Sequence, residues 1–144
     1  MFSKACEYGI RAVLHIAAKS MDAERTSLKA IAREIDSPEA FTAKILQQLS
    51  RNNIIRSVKG PTGGFEIAQE DLKTTRLIDV VKTIDGDQLF TGCGLGLKEC
   101  NADKPCPLHH QFLAIRTNLT QMLTNTNLEE LSLDITKGVT FLKR

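Results

Sequence analysis

The sequence contains no tryptophan and a single tyrosine, and aromatic residues make up only 5% of it. Any core must therefore be filled mostly by leucine, isoleucine, valine and alanine. No apolar run approaches the roughly 20 residues needed to cross a bilayer, and the opening MFSKACEYGIR lacks the apolar centre of a signal peptide. The expectation is a cytoplasmic protein with no membrane partner. In that compartment its four cysteines stay reduced, so a cysteine cluster points to metal or redox chemistry rather than to a disulfide frame. Internal repeats, low-complexity segments, a hydrolytic triad and a nucleotide-binding loop are also missing, and no enzyme activity is expected. Acidic residues are absent between Glu39 and Glu66, a window that holds Lys44, Arg51, Arg56 and Lys59.

What remains is a chain of 144 residues, the size of one domain and long enough to bury a core. Hydrophobic residues reach 42%, which excludes a disordered composition. The net charge of +2 is too small to identify a polyanion-binding protein, but the acid-free window makes a local basic surface on a nearly neutral molecule.

Apolar periodicity predicts a first helix over residues 3–20, with Cys6, Ile10, Val13, Leu14 and Ala17 on its inner face. Ser27 caps a short second helix that buries Leu28, Ile31, Ala32 and Ile35. Asp36 and Ser37 turn the chain. Pro38 opens a third helix to about Asn52, whose inner face is Phe41, Ile45, Leu46 and Leu49. Residues 54–58 and 64–68 read as short strands joined by the glycine-rich Gly60-Pro-Thr-Gly-Gly64. A helix, a short turn, a second helix and a hairpin make a winged helix-turn-helix. Residues 70–75 lead into a further helix through Leu77, Val80, Val81 and Ile84, ending near Gly86. Periodicity then vanishes from Asp87 to Pro107, and a loop of that length in a compact domain needs a functional reason. It returns from Leu108 to about Thr124, and the tail adds a short helical turn around Leu128 and Leu131. The fold class is mainly α with a small β-hairpin wing. The organisation is a DNA-binding region over 1–86, a cysteine-rich loop over 87–107, and a helix with tail over 108–144, all in one unit.

Two constellations carry chemistry. The exposed start of the third helix, with Glu39, Thr42 and Lys44, faces a major groove, where Thr42 and Lys44 can bond bases or phosphate. Arg51 lies further along the same helix, and Arg56 and Lys59 flank the wing tip within reach of phosphates or a minor groove. The second constellation is Cys93, Cys100, Cys106 and His109, spaced C-x6-C-x5-C-x2-H within seventeen residues. Thiolates are soft ligands that favour zinc, copper(I) or iron–sulfur clusters. Structural zinc sites usually pair cysteines two to four residues apart, whereas gaps of six and five suit a larger object. A redox disulfide is a third possibility, which leaves one of the three thiols odd.

Glu7-Tyr-Gly-Ile-Arg-Ala12, Ile31-Ala-Arg-Glu-Ile35, Ala43-Lys-Ile-Leu-Gln47, Arg56-Ser-Val-Lys-Gly-Pro-Thr-Gly-Gly-Phe65 and Leu77-Ile-Asp-Val-Val81, followed by the cysteine loop, resemble the winged-helix iron–sulfur transcription regulators of the IscR/NsrR-like family over essentially the whole chain. The resemblance implies a homodimer that pairs through the helix after the cysteines, which makes 108–144 a dimerisation helix with tail, and that reads one palindromic DNA operator, most simply as a repressor. It implies an iron–sulfur cluster on Cys93, Cys100 and Cys106. That cluster is 2Fe–2S if His109 is the fourth ligand, and otherwise 4Fe–4S, with Glu7 of the partner chain at the position of an alternative ligand. The first cysteine gap is one residue longer than in the IscR-like proteins and closer to the nitric-oxide sensors, while Cys106-x2-His109 matches the IscR-like histidine. The expected function is operator binding controlled by a cluster that senses nitric oxide, redox state or iron–sulfur status. The alternatives are a zinc-stabilised or cluster-free constitutive DNA binder and an iron–sulfur redox protein.

Overall fold

A computed structural model describes residues 1–143. Eight helices and one hairpin follow in the order α1 (Lys4–Met21), α2 (Leu28–Glu34), α3 (Glu39–Arg51), β1 (Arg56–Val58), β2 (Gly64–Glu66), α4 (Gln69–Thr74), α5 (Leu77–Asp85), α6 (Gln88–Thr91), α7 (His109–Asn125) and α8 (Leu128–Thr136).

Local chemistry sets the helix starts. The Ser3 hydroxyl accepts the Cys6 N–H at 3.0 Å, Ser27 accepts that of Ala30 at 3.2 Å, and Asn127 accepts that of Glu130 at 2.9 Å. Each satisfies a donor that a helix N-terminus leaves free. Helix α1 is buried over most of its circumference, through Cys6, Gly9, Ala12, Val13, Leu14, Ile16, Ala17 and Ser20. It forms the axis of the core. Around it pack α2, α3, α5 and α8, which contribute Ile31, Ile45, Leu46, Leu49, Val80 and Leu128.

The winged helix-turn-helix expected from the sequence is present. Strands β1 and β2 pair antiparallel with Ser57 opposite Phe65, and Thr26 extends β2 by exchanging both backbone hydrogen bonds with Phe65, at 2.8 and 3.1 Å. The strands are three residues each, shorter than the apolar runs suggested, because Ile55 and Ile67 turn down into the core at either end.

Three segments differ from expectation. Most of the 70–75 stretch, expected as a lead-in, belongs to a helix of its own, α4, separated from the expected helix by a break at Thr75 and Arg76 in extended backbone. The break frees backbone groups for the chain between α7 and α8. Leu77 N–H donates to Thr126 C=O at 3.0 Å, and Leu128 N–H donates to Thr75 C=O at 3.3 Å. The long loop contains α6, four residues and too short to leave a periodic signature. The tail folds into a nine-residue helix rather than a single turn, with Leu128 fully buried and Leu131 and Ile135 packed against the α1 core.

Docking of α8 is thus part of the core. Leu128→Ala should destabilise the protein by about 2–5 kcal/mol, measured by urea unfolding; a cost below about 1 kcal/mol would show that α8 is not docked in solution.

Candidate DNA interface and cysteine site

The recognition helix α3 is fixed to α1 by a chain of contacts. Arg11 donates to the Ile35 carbonyl at 2.9 Å, closing the C-terminal end of α2. Its guanidinium lies 4.8 Å from the centre of the Tyr8 ring, and that ring meets Phe41 edge-on at 5.6 Å. Asp36 takes a left-handed conformation (φ 52°) that makes the turn compact. Glu39 and Lys44 are exposed on α3, as is Arg51 further along.

Thr42 is not exposed. It is completely buried, donates to the Pro38 carbonyl at 2.8 Å, and bonds the Ser37 hydroxyl. Because α3 begins at Glu39, the inner stripe runs Thr42, Ile45, Leu46, Leu49, the i, i+3, i+4, i+7 pattern of a helix face. Phe41 sits at its edge. In this conformation Thr42 locks the turn and presents nothing to a groove. Gln48 is also engaged internally, donating to the Thr83 carbonyl at 2.8 Å.

The wing carries Arg56 and Lys59, both exposed. Arg56 is 3.5 Å from Glu66, which also accepts from Arg25 Nε at 3.0 Å. Arg25 in turn donates to the Thr62 carbonyl at 3.1 Å, so it holds the wing tip against the loop after α1. Sequence reasoning missed Arg25, which has no partner nearby in the chain. Among the described residues Lys44, Arg51 and Lys59 are in no ion pair. The wing also needs glycine. A Cβ at Gly63 would stand 2.1 Å from the Val58 carbonyl oxygen, and one at Gly64 (φ 140°) 2.8 Å from that of Thr26. A groove of about 460 Å³ runs between α3 and the wing, lined by Lys44, Gln47, Arg51, Ser57 and Phe65. Its cations, Lys44 and Arg51, both stand on the α3 wall, where they suit a polyanionic backbone.

The cysteine loop lies between α5 and α7. Cys93, Cys100 and Cys106 are half-buried thiols, and His109 is buried at the start of α7. Cys100 Sγ lies 3.4 Å from His109 Nδ1. Among the described residues no three His, Cys, Asp or Glu side chains are gathered closely enough to hold one metal ion. By chemistry the donors fit a thiophilic metal group: three sulfurs and one imidazole nitrogen on a single loop and helix end. Glu7 is exposed on α1 and pairs with Lys4 at 3.3 Å, reaching none of these residues in its own chain.

The thiols differ in acidity. The backbone N–H of Leu95 and then that of Leu97 donate to Cys93, and with help from Cys106 and Gly96 they lower its pKa. Burial, followed by the nearby Asp85 carboxylate, pushes the Cys6 thiol up to about 12. Cys6 is a core residue. A second residue that sequence reasoning missed is Arg116, which donates to Cys100 Sγ at 3.2 Å and to the Gly92 carbonyl. Its signal was its position, seven residues and two helical turns after His109. Along the remainder of α7, Leu113, Ile115 and Met122 are exposed.

Comparison with known proteins agrees with this geometry. The model of the Rrf2 family, described as iron-dependent transcriptional regulator, matches residues 2–134. A protein of Aquifex aeolicus named as an HTH-type transcriptional regulator is 28% identical over 134 residues, covering 91% of this chain and 90% of that protein. Among solved structures, CymR, the global cysteine regulator of B. subtilis, superposes with a TM-score of 0.73 at 22% identity, over 92% of this chain and 96% of that one. The IscR of T. potens superposes with a TM-score of 0.73 at 17% identity, over 97% and 91% respectively. At these identities the two structures establish the shared fold.

A lowered pKa means more thiolate at a given pH, and the thiolate is the nucleophile. Iodoacetamide at pH 7–8 should therefore label Cys93 in the metal-free protein well before Cys6, which should react only on unfolding. Peptide mass spectrometry gives the order, and early labelling of Cys6 would contradict its place in the core.

Proposed function

The chain belongs to the Rrf2 family of transcriptional regulators, and from that membership we propose that it is a homodimeric repressor whose affinity for a palindromic operator is set by an iron–sulfur cluster on Cys93, Cys100, Cys106 and His109. The observation that carries the reading is the approach of Cys100 Sγ to His109 Nδ1, 3.4 Å, at the foot of α7. That approach favours His109 as fourth ligand and a 2Fe–2S centre; Glu7 of a partner chain would instead complete a 4Fe–4S centre. When bound, the group supplies a charge and redox state sensitive to oxidants, nitric oxide and iron supply.

The protein's own residues carry the rest. Glu39 and Lys44 of α3 enter a major groove, and Arg51 meets the flanking backbone. Lys59 and Arg56 on the wing meet phosphate or minor groove. The exposed Ile115 and Met122, two turns apart on one side of α7, supply the apolar face through which two copies associate. The cysteine loop grips the start of that helix. A change in the loop therefore alters the angle between the two copies and the separation of their recognition helices. Operator half-sites repeat about every 34–36 Å of duplex, so a small change in separation changes affinity. No helix among the described residues is long and apolar enough to cross a membrane, and a cytoplasmic setting fits the reduced thiols.

Two outcomes test this. Anaerobic purification should yield about two irons and two sulfides per chain, the content of a 2Fe–2S centre, and alanine at Cys93, Cys100 or Cys106 should remove them and abolish the difference between loaded and metal-free operator affinity. Zinc without iron or sulfide would instead make the chain a zinc-stabilised, constitutive DNA binder. On the DNA side, Lys59→Ala removes one phosphate contact from each subunit and should flatten the slope of log affinity against log salt by about 2 for the dimer. Arg56→Ala should flatten it less, because Glu66 already neutralises part of the Arg56 charge. Fluorescence anisotropy from low to moderate salt measures both, and an unchanged slope for Lys59→Ala would remove the wing from the interface.

A further inference from the structure

We propose that Arg116 is a positioning residue that couples the electronic state of the Cys100 side of the site to helix α7. The proposal rests on the cluster reading given above. Arg116 and His109 are two turns apart on one face of α7, and both reach Cys100. The guanidinium Nη2 donates to Cys100 Sγ at 3.2 Å, and His109 Nδ1 lies 3.4 Å from the same sulfur. Nη1 donates to the Gly92 carbonyl, next to Cys93. One side chain thus bridges the beginning and middle of the loop and ties both to the helix.

Arginine suits this work because its fork is planar and always charged, so it can hold two acceptors in fixed geometry. The third nitrogen, Nε, is buried and has no hydrogen-bond partner. Buried polar atoms rarely stay unpaired without a reason. Arg116 keeps this orientation because its other two nitrogens are committed to Gly92 and Cys100.

The chemical consequence follows from charge. A hydrogen bond and a positive charge at a ligand sulfur stabilise the more electron-rich state of an iron–sulfur centre and raise its potential. By the same balance, that state strengthens the hold of Arg116 on Cys100. Loss of negative charge at the sulfur weakens that hold and frees Gly92 and Cys100 from α7. Arg116 is then the mechanical link between the chemistry of the loop and the helix on which the dimer is built.

The test compares full-length protein with Arg116→Gln and Arg116→Lys after anaerobic reconstitution. Reductive titration with dithionite gives the midpoint potential, and circular dichroism reports folding. The Gln variant should bind its electron about tenfold more weakly, a midpoint about 59 mV more negative for a one-electron couple. The Lys variant keeps the charge but cannot reach both acceptors, and its midpoint should fall between Gln and wild type. Because the Arg116 contacts to Cys100 and Gly92 are the link to α7, the difference in operator affinity between loaded and metal-free protein should shrink in the Gln variant. Unchanged midpoints in variants that retain iron and sulfide would overturn the proposal while leaving the cluster reading intact. If the Gln variant fails to fold, an unchanged midpoint for the Lys variant alone overturns it. A wild type that takes up no iron and sulfide would overturn the cluster reading first, and the role of Arg116 with it.

Discussion

Gly9 is where α1 admits its neighbours. A Cβ there would stand 2.1 Å from Ile84 of α5 and 3.4 Å from Ile45 of α3, so the missing side chain allows three helices to meet at one level. With Ala12 and Ala17 also small and buried, α1 becomes a slim axis with α3 on one side, α5 on another and α8 on a third. The recognition helix and the helix leading into the cysteine loop are therefore braced against the same support. Dense packing resists independent movement, so the DNA-reading surface stays rigid while the cysteine loop varies around it.

Tyr8 and Arg11, within two residues of Gly9 on α1, extend the brace to the turn before the recognition helix. The same short stretch of sequence thus sets both the core and the angle of α3. Few residues are needed because an aromatic ring, a guanidinium and a carbonyl can be satisfied in one line. The wing is held separately, by Arg25 and the two backbone bonds between Thr26 and Phe65.

Much of this was legible in the sequence because helical periodicity and glycine placement are local signals. The first three helices, the hairpin and α7 could be placed from apolar spacing and capping residues alone. Thr42 was misplaced because a threonine reads as surface by residue type, although its spacing of three, four and seven residues from Ile45, Leu46 and Leu49 puts it on the inner stripe; burial is possible because its hydroxyl bonds the Pro38 carbonyl and Ser37. The break at Thr75 and Arg76 was invisible because its cause, pairing with Thr126 and Leu128, is some fifty residues away. Helix α8 was underestimated since most of its stability comes from α1 and not from its own nine residues. In the candidate site, the three cysteines and His109 stand out by residue type and spacing, whereas the approach of His109 and Arg116 to Cys100 depends on how the loop folds back on α7.

The backbone bridge between Thr75–Leu77 and Thr126–Leu128 has a consequence for α7. At its C-terminal end the helix is pinned by peptide hydrogen bonds to the core. At its other end the His109 N–H bonds the Cys106 carbonyl, and Cys100 meets His109 and Arg116. Seventeen residues make a rod of about 25 Å. Such a rod is a lever clamped at the core, and its far tip sits at the chemistry. A modest swing at the clamp becomes the largest displacement at the tip, and equally a small chemical pull at the tip exerts the greatest torque on the clamp.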